Sequence, residues 1–238
     1  MPRLDKLLAD RTTLGRKLAR TRVRQGRVRL GDADGSTEAP SRDPGLSVPE
    51  DTWLYLDRQP LPPRPQLAVL YKPVGVVSTT SDPHGRACLA DVARDLLDLG
   101  LHPVGRLDAD TDGLLPFSRD GALTQHLLHP RHGVQKVYRA RVEGAIPADL
   151  ADRLAAGVKT AEGVHTAVLR SVDGDVVELA VTEGKHRMVR RMLANLGLPV
   201  IALRRLAFGP FELGDLEPGS WRPARPDELL WLHDRLSG

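Results

Sequence analysis

The chain of 238 residues has a single cysteine, Cys88, which excludes an intramolecular disulfide framework and a cysteine-rich metal site and fits a reducing cytoplasm. Long apolar runs are missing too. Charges interrupt every hydrophobic stretch of "MPRLDKLLADRTTLGRKLAR", which has no signal-peptide core, and nothing further along approaches membrane-spanning length. A soluble, cytoplasmic protein without membrane association is expected. Neither a GxGxxG fingerprint nor a GxxxxGKS/T phosphate loop occurs, so nucleotide-cofactor chemistry lacks its usual marks. No repeat period is visible.

What is present is ordinary in amount and uneven in distribution. Hydrophobic residues at 41 % and charged residues at 27 % are the balance of a soluble globular protein, and the length suits one ordinary domain plus a small module. Residues 1–30 hold ten Lys or Arg against two Asp, although the net charge of the chain is only +3. Such a cluster attracts phosphate backbones, with a solvated helix face as the plainer alternative.

Periodicity predicts helices over 4–9 and 15–25, a strand over 27–30 and a strand in "DTWLYLD", which makes a small module ending near residue 58. Four prolines in "RQPLPPRPQ" predict a stiff interdomain linker over 59–66. Beyond it, strands are expected at 67–71, 74–79, 113–118, 136–142, 165–172, 175–182 and 199–206. Helices are expected at 89–98, 121–128, 147–156, 186–196 and 227–236. This irregular alternation predicts an α+β domain over 67–238 with a mainly antiparallel mixed sheet.

The stretch "GRLDADTDGLL" begins like a calcium-binding loop, with carboxylates at Asp108, Asp110 and Asp112 and a glycine at the sixth position. The twelfth position, which must supply a bidentate Glu, is Arg119, and the ninth is Pro116. The acidic cluster therefore needs another explanation. His126, His129 and His132 invite a zinc reading, but Pro130 should end the helix and scatter the rings. His129-Pro130 is better read as shaping a turn.

Five blocks in order, "YKPVGVVSTTSDPHGR", "GRLDADTDGLL", "HPRHGVQKVYRARVEG", "EGKHRMVRRM" and "LEPGSWRPARPDEL", resemble the RsuA-type pseudouridine synthases. The resemblance covers residues 67–238, and the N-terminal module is similar to the S4 RNA-binding domain that precedes this catalytic domain. It implies isomerisation of uridine in ribosomal RNA: the N1–C1′ bond breaks, the uracil turns, and C5 rejoins the sugar. Nothing is oxidised and no atom is lost, so no cofactor or metal is implied. A partly assembled ribosomal subunit is the other substrate implied, a monomer is expected, and "SDPHGR" leans towards large-subunit enzymes.

By position in these blocks the resemblance makes Asp108 the catalytic carboxylate, with Asp110 and Asp112 at variable positions. An ionised carboxylate beside an extruded nucleotide can attack sugar or base or abstract a proton, and these alternatives stay open. Arg190 would be its charge partner. Tyr138, which alone would read as a core residue of a strand, would stack on the base. Arg106, Arg187 and Arg191 would meet RNA, as would Lys72 of the KP pair, otherwise a plain strand-end turn. Arg16, Lys17, Arg20, Arg24 and Arg27 would form the phosphate-binding face of the module. Tyr71, Cys88, Pro116 and Met188 depart from the usual pattern. The rival reading is a non-catalytic RNA-binding or ribosome-assembly protein on the same fold, against which the presence of Asp108, Tyr138 and Arg190 argues.

Overall fold

The computed structural model describes residues 1–236 and divides into two compact units, Met1–Pro65 and the remainder from Gln66. In the first, α1 (Leu4–Asp10) carries leucines at 4, 7 and 8, the spacing of one helix face, and α2 (Arg16–Arg24) carries Ala19 and Val23 four residues apart. β1 (Val28–Gly31), β2 (Trp53–Leu56) and β3 (Gln59–Leu61) follow as an antiparallel sheet in that order. Leu4, Leu8, Ala19, Val23, Val28 and Leu54 close a common core and are fully buried.

The proline-rich segment is therefore only partly a linker. Gln59, Pro60 and Leu61 pair with Leu56, Tyr55 and Leu54, and the first unit runs on to Pro65. Proline is compatible with this strand because β3 is an edge, where a missing N–H interrupts no second ladder.

In the second unit, β4 (Leu67–Lys72) leads through α3 (Leu89–Val92), α4 (Arg94–Asp98) and β5 (His102–Pro103) to β6 (Thr111–Ser118) and α5 (Gly121–Leu128). Then come β7 (Lys136–Val142), α6 (Leu150–Ala156), a small hairpin of β8 (Val158–Thr160) and β9 (Gly163–His165), β10 (Val168–Asp173) and β11 (Val176–Val181). The chain ends with α7 (Met188–Asn195), β12 (Val200–Phe208), β13 (Phe211–Glu212), β14 (Trp221–Pro223) and α8 (Pro226–Leu236).

The main sheet has the order β10-β11-β7-β12-β6-β4-β14, with β13 on β12 and β5 on β6. Every pairing is antiparallel except β12 with β6, so the expected mainly antiparallel mixed sheet is present. All eight residues of β6 are buried, as befits a strand between β4 and β12.

One further expectation needs correction. Residues 74–79 do not form a strand: Gly75 adopts φ 87°, and only Val77 makes an isolated bridge, to Cys88. The stretch is a turn, folded around the side chain of Lys72. The short strands β5, β8, β9, β13 and β14 carry two or three residues each, too few for alternation to register in the sequence.

Candidate active site

The loop that carries Asp108 is held from both flanks by that turn. Ser78 Oγ donates to the Leu107 carbonyl at 2.7 Å and accepts from the Leu107 N–H at 3.0 Å, while Gly75 N–H donates to the Ala109 carbonyl at 2.7 Å. The turn is ordered from within by Lys72, whose ammonium donates to the carbonyls of Pro73 and Val76, both at 2.8 Å. Lys72 was expected at the RNA backbone; its side chain is instead fully buried, and burial pushes its pKa down to about 8 despite Asp112, Asp108 and Asp110 nearby. Its contribution is to the backbone around Asp108.

Immediately after the loop, β6 meets β12 in the parallel pair Leu203↔Thr111, Arg204↔Asp112, Arg205↔Gly113. Gly113 has φ 105°, and a Cβ there would lie 2.3 Å from the Arg205 carbonyl oxygen, so only glycine lets the two strands close. The glycine of "DTDGLL" is thereby explained by packing.

The three aspartates of the motif have three different environments. Asp112 is buried, accepts from the Tyr71 hydroxyl at 2.9 Å, and pairs with Arg204 at 2.9 Å. Burial, with the hydrogen bond to Asp112, pushes the Tyr71 phenol up to about 12. Tyr71, which departs from the family pattern, thus anchors the base of the loop. Asp110 accepts a bidentate pair from Arg187 at 2.9 and 2.7 Å, and its backbone carbonyl accepts from Arg190 at 2.6 Å. Asp108 stands apart: among the described residues its one ion-pair neighbour is His186, at 3.9 Å, and its side chain is 26 % exposed.

Arg190 was expected to pair with Asp108. Its guanidinium bridges Asp110 and the Val200 carbonyl instead, tying α7 to the motif loop and to the start of β12. Arg187, at the N-terminus of α7, has φ 52°, a left-handed conformation that costs a non-glycine residue about 1 kcal/mol or more. Its bidentate hold on Asp110 offsets that cost.

Asp108 lies at a cavity of about 420 Å³ whose wall includes Arg106, Tyr138, His186, Arg187 and Met188. Tyr138 and Arg205 are direct partners across β7 and β12, so both side chains project from one face of the sheet, as does Lys136 two residues before Tyr138. Lys136 and Arg205 also line the cavity and are 6 % and 3 % exposed. Each cation lies about one ring away from Phe208, at 5.0 and 5.2 Å from its centroid. Sequence reading missed both, although the alternation of "KVYRARV" sets Lys136 on the same face as Tyr138.

The remaining basic residues divide by their partners. Arg20 donates to the buried Asp5 at 3.1 and 3.0 Å, Arg16 lies 3.8 Å from the same carboxylate, and Arg27 pairs with Asp57. Lys17 and Arg24 are exposed and have no ion-pair partner among the described residues. Arg191 pairs with Glu162 at 2.6 Å, and Arg106 is exposed at the cavity. The histidines are not scattered. α5 ends at Leu128 and Pro130–His132 forms a short 3-10 turn, which brings the His126 and His132 rings into a stack at 3.7 Å.

Comparison with known proteins identifies the family. The family model for RNA pseudouridylate synthase matches residues 66–195, the span that holds Asp108, Tyr138 and Arg190. The chain is 36 % identical to an uncharacterized RNA pseudouridine synthase of Mycobacterium leprae, over 98 % of this chain and 93 % of the relative. It is 32 % identical to ribosomal large subunit pseudouridine synthase B of Bacillus subtilis, over 98 % and 96 %. It is 33 % identical to ribosomal small subunit pseudouridine synthase A of Escherichia coli, over 95 % and 98 %. A crystal structure of a pseudouridylate synthase superimposes with TM-score 0.65 at 27 % identity, covering 98 % of this chain and all of that one. The chain belongs to the RNA pseudouridylate synthase family, and is an isomerase that converts uridine in RNA to pseudouridine.

Proposed function

We propose that this enzyme acts on ribosomal RNA, free or in a partly assembled subunit, with Asp108 as the essential carboxylate and Tyr138 as the surface on which the extruded uracil stacks. The observation that carries the site assignment is the position of Asp108: at the cavity, held by hydrogen bonds on both sides, and alone of the three aspartates in having no arginine partner. A carboxylate spent on an arginine is a poor nucleophile or base, and Asp108 is not so spent. Arg187 and Arg190 supply positive charge close by and, through Asp110, fix the loop against α7. That two relatives named for the large and the small ribosomal subunit match over nearly the whole chain supports ribosomal RNA as the substrate.

The first unit serves as an S4-like RNA-binding module in this reading, with Lys17 and Arg24 among its cations that have no ion pair among the described residues, and the enzyme works as a monomer in the cytoplasm. Chemical mapping of pseudouridine in both ribosomal RNAs, from cells with and without the protein, tests the substrate. One or more positions should revert to uridine in its absence and return with the wild-type chain but not with Asp108→Asn. Full restoration by Asp108→Asn would remove Asp108 from its role, and an unchanged map would remove ribosomal RNA as the substrate.

A further inference from the structure

Lys136 and Arg205 are buried cations side by side beneath the cavity, and neither makes an ion pair among the described residues. Lys136 donates to the carbonyls of Val134 and Thr182 at 2.9 and 3.3 Å, and Arg205 Nε donates to the Leu114 carbonyl at 2.8 Å. Arg205 Nη2 is buried without any partner. Burial, reinforced by the charge of Arg205, pushes the Lys136 pKa down to about 8, which still leaves it protonated at neutral pH. Two like charges buried without a counter-ion are costly, and such an arrangement calls for an anion that is present only at some stage of the reaction.

The reaction supplies one. Heterolysis of the N1–C1′ bond leaves the bonding electron pair on the uracil, spread from N1 over O2 and O4. C5 then attacks C1′, the C5 proton departs to solvent and N1 takes up a proton, so atoms and electrons balance without a co-reactant. We propose that Lys136 and Arg205 form a cationic floor that stabilises the uracil while it carries this charge, an inference that rests on reading the cavity as the uridine site. The floor lies on the face that bears Tyr138, where the base would stack, whereas the exposed cations of the wall, Arg106 and Lys185, suit phosphate. Preorganised charge in a desolvated site acts most on the state in which the opposite charge develops.

The test compares uridine with 5-fluorouridine at the target position of a ribosomal RNA fragment, read as single-turnover disappearance of the starting nucleoside at saturating RNA. Fluorine withdraws electrons and lets the detached ring bear its charge with less help. Lys136→Met and Arg205→Met should each slow the uridine substrate by about a hundredfold with RNA affinity held. The loss should shrink to about tenfold on 5-fluorouridine, and Lys136→Arg should recover most of the rate. Where Arg205→Met fails to fold, Lys136→Met carries the same comparison. Equal losses on the two substrates would mark a merely structural role, and weakened affinity with an intact rate would mark a phosphate site; either overturns the inference alone. A wild-type chain that consumes neither nucleoside overturns the reading of the cavity and the inference with it.

Discussion

In the first unit a carboxylate is buried among arginines, while in the second the buried groups at the cavity and its supporting turn include cations that form no ion pair among the described residues. Asp5 has no exposed surface, and Arg3, Arg16 and Arg20 surround it at 3.4, 3.8 and 3.0 Å. Lys72, Lys136 and Arg205 are as deeply buried and rest on backbone carbonyls. Elsewhere in the second unit buried acids are paired as in the first: Asp112 with Arg204, Glu228 with Arg222. Among the described residues, the almost fully buried charges that form no ion pair lie at the cavity and its supporting turn. Compensated charge holds elements together, and uncompensated charge is kept where substrate arrives.

The largest expected effect tests that division within the motif itself. Asp108→Asn should reduce pseudouridine formation to background with RNA affinity nearly unchanged. Asp110→Asn should slow the saturating rate by about tenfold to a hundredfold, because releasing Arg187 and Arg190 lets the loop drift. Asp112→Asn should act chiefly on stability, since it weakens a buried anchor to Tyr71 and Arg204, neither of which lines the cavity. Equal losses at all three positions in single-turnover assays would erase the distinction.

The two units should also respond to pH in separate windows, each gaining stability as pH rises. Burial pushes the Asp5 carboxyl up, but the hydrogen bonds from Arg20 and the charges of Arg3, Arg16 and Arg20 prevail and hold its pKa below the usual 3.8. Its contribution to stability is present above that value and is lost as pH falls through the folded pKa. The lysines act in the same sense at higher pH. Lys72 and Lys136 titrate near 8 when folded and near 10.5 when unfolded, so the unfolded chain binds more protons between those values and stability rises with pH across the window. The gain from pH 8 to 9.5 should be about 2 kcal/mol per lysine, below the range in which Tyr71 titrates. Urea unfolding of wild type and Lys72→Met at those two pH values isolates the effect. An identical pH slope in the two chains would refute it.

A smaller effect belongs to Asp5 itself. Asp5→Asn keeps the shape and removes the charge that organises three arginines, and should cost the first unit about 2 kcal/mol. Amide hydrogen exchange should accelerate in α1 and α2 and stay unchanged in the main sheet. Acceleration throughout both units would show that the effect is not local.

Much of this was legible in the sequence, for identifiable reasons. The bounds expected for α5 and β7 are the ones observed, and the structure adds that Asp120 caps the helix by accepting from the Ala122 and Leu123 N–H groups. Asp108 and Tyr138 came from motif blocks. What stayed hidden depends on pairing across distance. That Arg190 reaches Asp110 follows from how α7 meets a loop 80 residues away, and that Lys72 turns inward follows from a ring of carbonyls that only the folded turn creates. Nothing in the sequence singles out Arg205 within its strand; its register opposite Tyr138 and Gly113 places it at the cavity.

The smallest expected effect asks which cations of the first unit are available to RNA. Each phosphate contact contributes about 0.7 to 0.9 to the slope of log affinity against log salt, because a cation that neutralises a phosphate releases a counterion. A cation already neutralised by a carboxylate has less to release. Lys17 and Arg24 are exposed and unpaired among the described residues, whereas Arg20 is held by Asp5 and Arg27 by Asp57. Lys17→Gln and Arg24→Gln should therefore each lower the slope by nearly the full amount, and Arg27→Gln by clearly less. Arg27→Gln should also free Asp57, adding a repulsion that weakens binding at low salt without changing how many counterions are released. Salt titrations of binding to one ribosomal RNA fragment, with the four chains side by side, separate the two classes. If Arg27→Gln lowered the slope as much as Lys17→Gln does, the pair with Asp57 would have to open on RNA, and pairing in the first unit would no longer distinguish structural arginines from binding ones.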